Sequence, residues 1–217
     1  MQPNPVLRRL GLADDDRVAV IHTDDIGMCL ASVAAFADLW DFGLISSGAV
    51  MVPCPWFLKA AQYSREHPQA DLGVHITLTS EWNTYRWGPL STRDPRSGMI
   101  DEEGYFYHWT QPARDHGQPD CVLAEIEAQV QRAKALGMQP THMDTHMGVV
   151  ASPKFLHGYL QVALKHRLPP MIFRMDEAHW MAAGLDAPTA ALAVQLTHQL
   201  ETLGAPLLDH IMGLDLG

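Results

Sequence analysis

A chain of 217 residues, 47% of them hydrophobic, is sized for one domain with a sizeable core. Its formal net charge of −10, with no block of Lys or Arg, argues against non-specific binding to nucleic acid or to an anionic membrane. Three cysteines (Cys29, Cys54 and Cys121), odd in number and without metal-type spacing, read as small buried residues in a reducing compartment rather than as a disulfide framework.

In chain order, Met1 to Asp16 lacks the apolar stretch of a secretory leader, and no later apolar run approaches the ~20 residues of a membrane span. The expectation is a soluble cytoplasmic protein. Val18 to Ile21 then forms an apolar run that leads into Asp24, Asp25 and Gly27, the order of a buried strand ending at a polar site and a turn. Adjacent carboxylates repel each other, so such a pair points to a cation held beside it. A single Asp there would more simply cap the next helix. Leu30, Val33, Ala34, Ala37 and Trp40 follow at helical spacing, with Gly43 suited to the stop. Ser46 to Val52 reads as a second strand, Trp56 to Arg65 as a short helix, and Asp71 to Leu78 as a third strand carrying His75.

From Ser80 to Asp120 no long periodic segment appears, but Trp82, Tyr85, Trp87, Tyr105, Phe106, Tyr107 and Trp109 argue against disorder. These rings could stack on a sugar or form the loop's own small core. Val122 to Leu136 is a helix ended by Gly137, and Thr141 to Asp144 a fourth strand. Ser152-Pro153 opens a helix towards His166, with Ser152 as its cap. Pro170 to Arg174 is strand-like, Thr189 to Leu203 is a further helix stopped by Gly204, and Pro206 to Asp209 reads as the start of a next strand.

Strand and helix alternate without an internal repeat or a linker, which implies parallel strands joined by crossover helices in a single domain, residues 1–217. The acids and histidines fall at C-terminal strand ends, where parallel α/β folds place their sites. No glycine-rich dinucleotide or phosphate loop follows the first strand, which favours a barrel-like fold over a doubly wound one.

Thr141-His142-Met143-Asp144-Thr145-His146 is the second informative segment, because an extended chain puts His142, Asp144 and His146 on one face. Buried polar groups need partners. A lone His here would read as a satisfied structural residue. Three in phase, with Asp25 and His75 at other strand ends, point to a metal. One carboxylate with two imidazoles leaves a position for water, the pattern of catalytic rather than structural zinc. Zn²⁺ suits mixed N/O ligation best, with Mn²⁺, Co²⁺ or Mg²⁺ as alternatives. A metal of this kind lowers the pKa of bound water to about 7, and an unligated carboxylate beside it can take the proton.

On the segments Ile21 to Gly27, Gly73 to Thr79 and Thr141 to His146, with Pro170 to Arg174 and Asp209 to Gly213 in order behind them, the chain resembles the YdjC-like carbohydrate deacetylases. That family includes chitooligosaccharide (diacetylchitobiose) deacetylase and is related to the NodB-type polysaccharide deacetylases. The resemblance implies a deformed or incomplete (β/α) barrel with one divalent metal held by Asp25, His75 and His146. It also implies Asp24 as general base, an arginine at Arg174 that helps orient the acidic pair, and a homodimer. His142 and Asp144, inside the matched motif, are expected to orient ligands. The family commonly has a further His where this chain has Gly148, and a late His-Pro whose His is the general acid. No such His-Pro follows Asp209-His210, and 217 residues fall short of the roughly 250 of a full barrel. The expectation is therefore a chain truncated at its C-terminus, or a partial barrel completed by oligomerising, with its general acid unnamed.

The activity expected is metal-dependent removal of N-acetyl groups from amino sugars or chitooligosaccharides, with Trp82, Tyr85 and Trp87 shaping the sugar site. One alternative is an amidohydrolase or phosphoesterase on a similar barrel, although such sites commonly open with His-x-His where this chain has Asp-Asp. The other is a non-catalytic metal- or carbohydrate-binding protein that lacks the acid.

Overall fold

The computed structural model describes residues 3–182 and 184–213. Strand β1 runs His22–Ile26, so both acids lie inside the first strand and not beyond it. The apolar run ahead of it is not buried: Val18 and Val20 are each 57% exposed. This corrects the expectation from sequence. Pairing with the next strand begins only at His22, and the side chain that β1 sends into the core is Ile26.

Strands β2 (Ser47–Val50), β3 (Leu72–Ile76) and β4 (Met143–Thr145) follow close to their expected places. β2 and β3 are buried throughout, as strands covered on both faces must be. Among the described residues the four strands form one open parallel sheet in the order β1-β2-β3-β4, an α/β arrangement consistent with a deformed or incomplete barrel. Pro170 to Arg174 contributes only isolated bridges, Met143 with Pro170 and Phe173 with Leu208.

By contacts the chain divides into two units, one of Val20–Pro170 and one of the segments on either side. In the larger unit, helices Leu30–Phe42, Phe57–Glu66, Pro119–Ala135 and Pro153–His166 place Phe36, Phe57, Ile126 and Tyr159 in the core. Gly48 on β2 has no room for a side chain. A Cβ there would lie 2.6 Å from Ile26 and 2.7 Å from Phe36. Ser152 takes the capping place before Pro153, but its hydroxyl makes no hydrogen bond.

The aromatic segment after β3 holds a short helix, Thr110–His116, and sends Trp87, Met99 and Phe106 into the main hydrophobic core. Helix Pro119–Ala135 ties it down through two fully buried polar residues. Gln129 bonds both backbone groups of Thr77, at 3.0 and 2.8 Å, and Glu125 accepts from the N–H groups of Leu90 and Ser91. Left unpaired, each such group would cost about 1–3 kcal/mol. In the smaller unit, Asn4 caps helix Pro5–Arg9, and Asp186 caps helix Ala187–Thr202 through the N–H of Thr189. Among the described residues no helix is long and apolar enough to cross a membrane.

Candidate metal centre

The site is built on a defect in β1. Its register with β2 advances three residues, Thr23 to Ile26, against two, Gly48 to Val50, and Asp25 takes a left-handed backbone with φ of 58°. A regular strand would send Asp24 and Asp25 to opposite faces. The extra residue is a β-bulge, which re-aims a side chain. Asp24 stays in phase with His22, its Oδ1 lying 3.4 Å from His22 Nε2, while Asp25 is turned towards the ends of β3 and β4. Gly27 closes the strand with φ of 89°, in a place where a Cβ would meet the Phe57 backbone at 3.3 Å.

β3 and β4 contribute through their register. His75 pairs directly with Asp144 across the ladder, and His75 Nδ1 donates to Asp144 Oδ1 at 2.7 Å. Its other nitrogen, Nε2, faces Asp25 Oδ1 at 3.4 Å, and His146 Nδ1 faces the same oxygen at 2.9 Å. Donor atoms of Asp25, His75 and His146 all lie within 4.8 Å of one another. Asp25 Oδ1 is buried yet makes no well-directed hydrogen bond. A buried carboxylate oxygen facing two imidazole nitrogens without a hydrogen bond suits a coordinated cation, and one carboxylate with two imidazoles is a donor set for Zn²⁺.

The electrostatics follow from the same contacts. Burial disfavours a charge on His75, but Asp144 beside it, with Asp25 and Asp24 further off, pushes its pKa up to about 10. Burial also works against the Asp25 carboxylate, yet His146 and His75 hold it well below the usual range. Asp144 behaves likewise, with His75 and His22 outweighing its burial. His146 is raised by Asp25 and Glu81 against the cost of its burial. For His142 burial wins, and its pKa is lowered.

Of the residues singled out by sequence, Asp24, Asp25, His75, Asp144 and His146 are brought together. His142 stands behind them. Its ring lies on Gly73 and packs edge-on against His22 at 5.4 Å, and its Nε2 is buried without a partner. Arg174 falls in the smaller unit, where its guanidinium meets Glu201 and Asp209 at 2.6 Å each. The three rings chosen for sugar stacking divide. Trp82 is 53% exposed. Tyr85 is half-buried, its hydroxyl donating to the carbonyl of Met28. Trp87, by contrast, is 3% exposed and its ring N–H donates to the carbonyl of Thr79, so it presents no face to a ligand.

Two site residues were not foreseen. His22 bridges Ser47 Oγ at 3.1 Å and Asp144 Oδ2 at 3.0 Å. Glu81 sets both carboxylate oxygens 3.1 Å from His146 Nε2. His22 lies inside the marked segment Ile21 to Gly27 and Glu81 two residues after Gly73 to Thr79, which was the available signal. His22, Asp24 and Asp144 form a second group with ion-binding donor types, but Asp144 Oδ2 is already occupied by His22.

The model of the family described as YdjC-like protein matches residues 18–216. A carbohydrate deacetylase of Thermus thermophilus is 36% identical over 167 residues, 77% of this chain and 57% of that protein. A chitooligosaccharide deacetylase of Yersinia enterocolitica is 26% identical over 177 residues, 80% of this chain and 66% of that protein. The chain thus spans about three-fifths of the length of these curated relatives. A crystal structure from Enterococcus faecalis, of a protein provisionally named for cellobiose-phosphate cleavage, superposes with a TM-score of 0.64 at 21% identity. That likeness covers 90% of this chain and 81% of the other, and it speaks for the fold.

Proposed function

Because the chain belongs to the YdjC-like protein family, we propose that it is a metal-dependent carbohydrate deacetylase, which hydrolyses the N-acetyl group of an amino sugar and releases acetate. The observation that carries this reading is the convergence of His75 Nε2 and His146 Nδ1 on Asp25 Oδ1, a buried carboxylate oxygen without a hydrogen bond. Zn²⁺ fits this donor set best, with Mg²⁺ the alternative. When bound, such an ion supplies an acidified water and a positive charge for the developing oxyanion.

The chain's own residues do the rest. Asp25, His75 and His146 hold the ion. Asp24, with 59% of its side chain exposed and outside the three-donor group, takes the proton of the attacking water as general base. Water adds to the acetamide carbonyl, the proton taken from it passes to the nitrogen as the C–N bond breaks, and acetate and a free amine leave. Asp144 holds His75 by Nδ1, which leaves Nε2 as the nitrogen that would hold the ion. Exposed Trp82 offers a ring on which the sugar stacks. Cytoplasmic residence and a homodimer belong to the same reading.

Acetate release from N-acetylglucosamine oligomers, measured with Zn²⁺, Mg²⁺, Mn²⁺ or Co²⁺ and beside an Asp24→Asn variant, tests it. The expected outcome is metal-dependent release that the substitution abolishes. One equivalent of bound metal without release would favour a non-catalytic metal-binding protein instead.

A further inference from the structure

The contact between Glu81 and His146 has no part in the chemistry above, although both carboxylate oxygens reach the ring nitrogen. An imidazole that ligates a metal presents a lone pair on one nitrogen and carries its proton on the other, and the partner of that N–H decides which is which. At His75 the partner is Asp144 on Nδ1, which leaves Nε2 facing Asp25. At His146 the arrangement is reversed. Both oxygens of Glu81 lie 3.1 Å from Nε2, and Nδ1 is the atom 2.9 Å from Asp25 Oδ1. Turning the ring over would set carbon atoms against both carboxylates and lose both contacts.

Glu81 is itself held in place. The N–H of Ser80 donates to the Tyr107 carbonyl at 2.9 Å, and the Ser80 hydroxyl accepts from the N–H of Trp87 at 3.0 Å, which anchors the chain immediately before it. The residue after His146, Met147, takes φ of 50° and turns the chain there.

Resting on the metal reading, we propose that Glu81 is a positioning residue: it takes the Nε2–H of His146 and so makes Nδ1 the metal-binding atom. The site then presents Nε2 from one histidine and Nδ1 from the other, with one carboxylate behind each ring.

The test is Zn²⁺ affinity, by isothermal titration, for wild type, Glu81→Ala and Glu81→Gln of the full chain. Ala should cost about 10- to 100-fold in affinity, the range for lost outer partners of metal-bound histidine. Gln, whose carboxamide oxygen still accepts the N–H, should retain most of it. Equal losses in both variants would overturn the proposal, since the carboxylate would then bind the ion directly, and so would no loss in Ala. A second readout does not depend on metal. In the metal-free protein the His146 Nε2–H should give a slowly exchanging downfield proton resonance that Glu81→Ala removes. Its absence from wild type overturns the pairing. Wild type that shows the resonance but takes up no Zn²⁺ sinks the metal reading and leaves the pairing standing.

Discussion

β1 and β3 bring side chains of the candidate metal centre to the same point by opposite means. β3 is regular, buried at every residue and paired on both sides, so His75 is aimed by strand phase and by its register with Asp144. β1 is an end strand of the described sheet, bulged at its acids, and it aims Asp25 through a left-handed backbone. A ligand on a regular buried strand is secured by the packing of the whole strand. A ligand on a bulge is secured by a local backbone conformation, which its neighbours must maintain.

The largest effect that would sharpen this contrast lies on the β3–β4 side. Asp144→Ala strips a buried carboxylate from His75 and His22 and should lower stability by about 3–5 kcal/mol, the range for breaking a buried pair, as read from chemical denaturation. The same pair carries a pH signature in the metal-free protein. The pKa of His75 lies above its ordinary 6.5, at about 10, so its contribution is fully present below 6.5 and is lost as pH rises through about 10. Denaturation across that window should show the decline in wild type and a flatter profile in Asp144→Ala. A wild-type profile with no decline would count against the pair.

On the β1 side, Asp25→Asn keeps a residue that tolerates the left-handed backbone while removing the charged ligand. Zn²⁺ affinity should fall more than about 100-fold, beyond the range for outer partners, and the metal-free protein should also lose stability at neutral pH, because the carboxylate favoured by His146 and His75 is gone. Unchanged Zn²⁺ affinity would sink the role of Asp25 at the site. The smallest effect belongs to the run before β1. Val20→Thr should change stability by less than about 0.5 kcal/mol, because Val20 is on the surface. A cost typical of a core residue would restore the buried-strand reading of that run.

Much of the frame was legible in the sequence for a physical reason. Strands buried on both faces read as near-continuous apolar runs, and β2 and β3 announce themselves that way, broken only by Ser47 and His75 with a glycine in each. Helices with one buried stripe, such as Leu30–Phe42 with Gly43 behind it, repeat at their own period. The donor types were legible too, because acids and histidines next to such strands are expensive without partners. The rest was not legible. Val18 to Ile21 has the composition of a core strand, yet it is solvent-exposed because β1 starts pairing with β2 only at His22. Trp82 and Trp87 are the same residue type five positions apart, and only the folded loop decides that one is surface and the other core.

By itself, then, the sequence determined the parallel α/β class and the family, and with the family the expectation of Asp25, His75 and His146 as a donor set, because each rests on residue type, order and spacing along the chain. The tertiary structure alone decided the bulge that turns Asp25, the ladder register that sets Asp144 against His75, and the placing of His22 and Glu81. Those depend on pairings between strands and loops far apart in the chain, where a shift of one residue sends a side chain to the other face of the sheet.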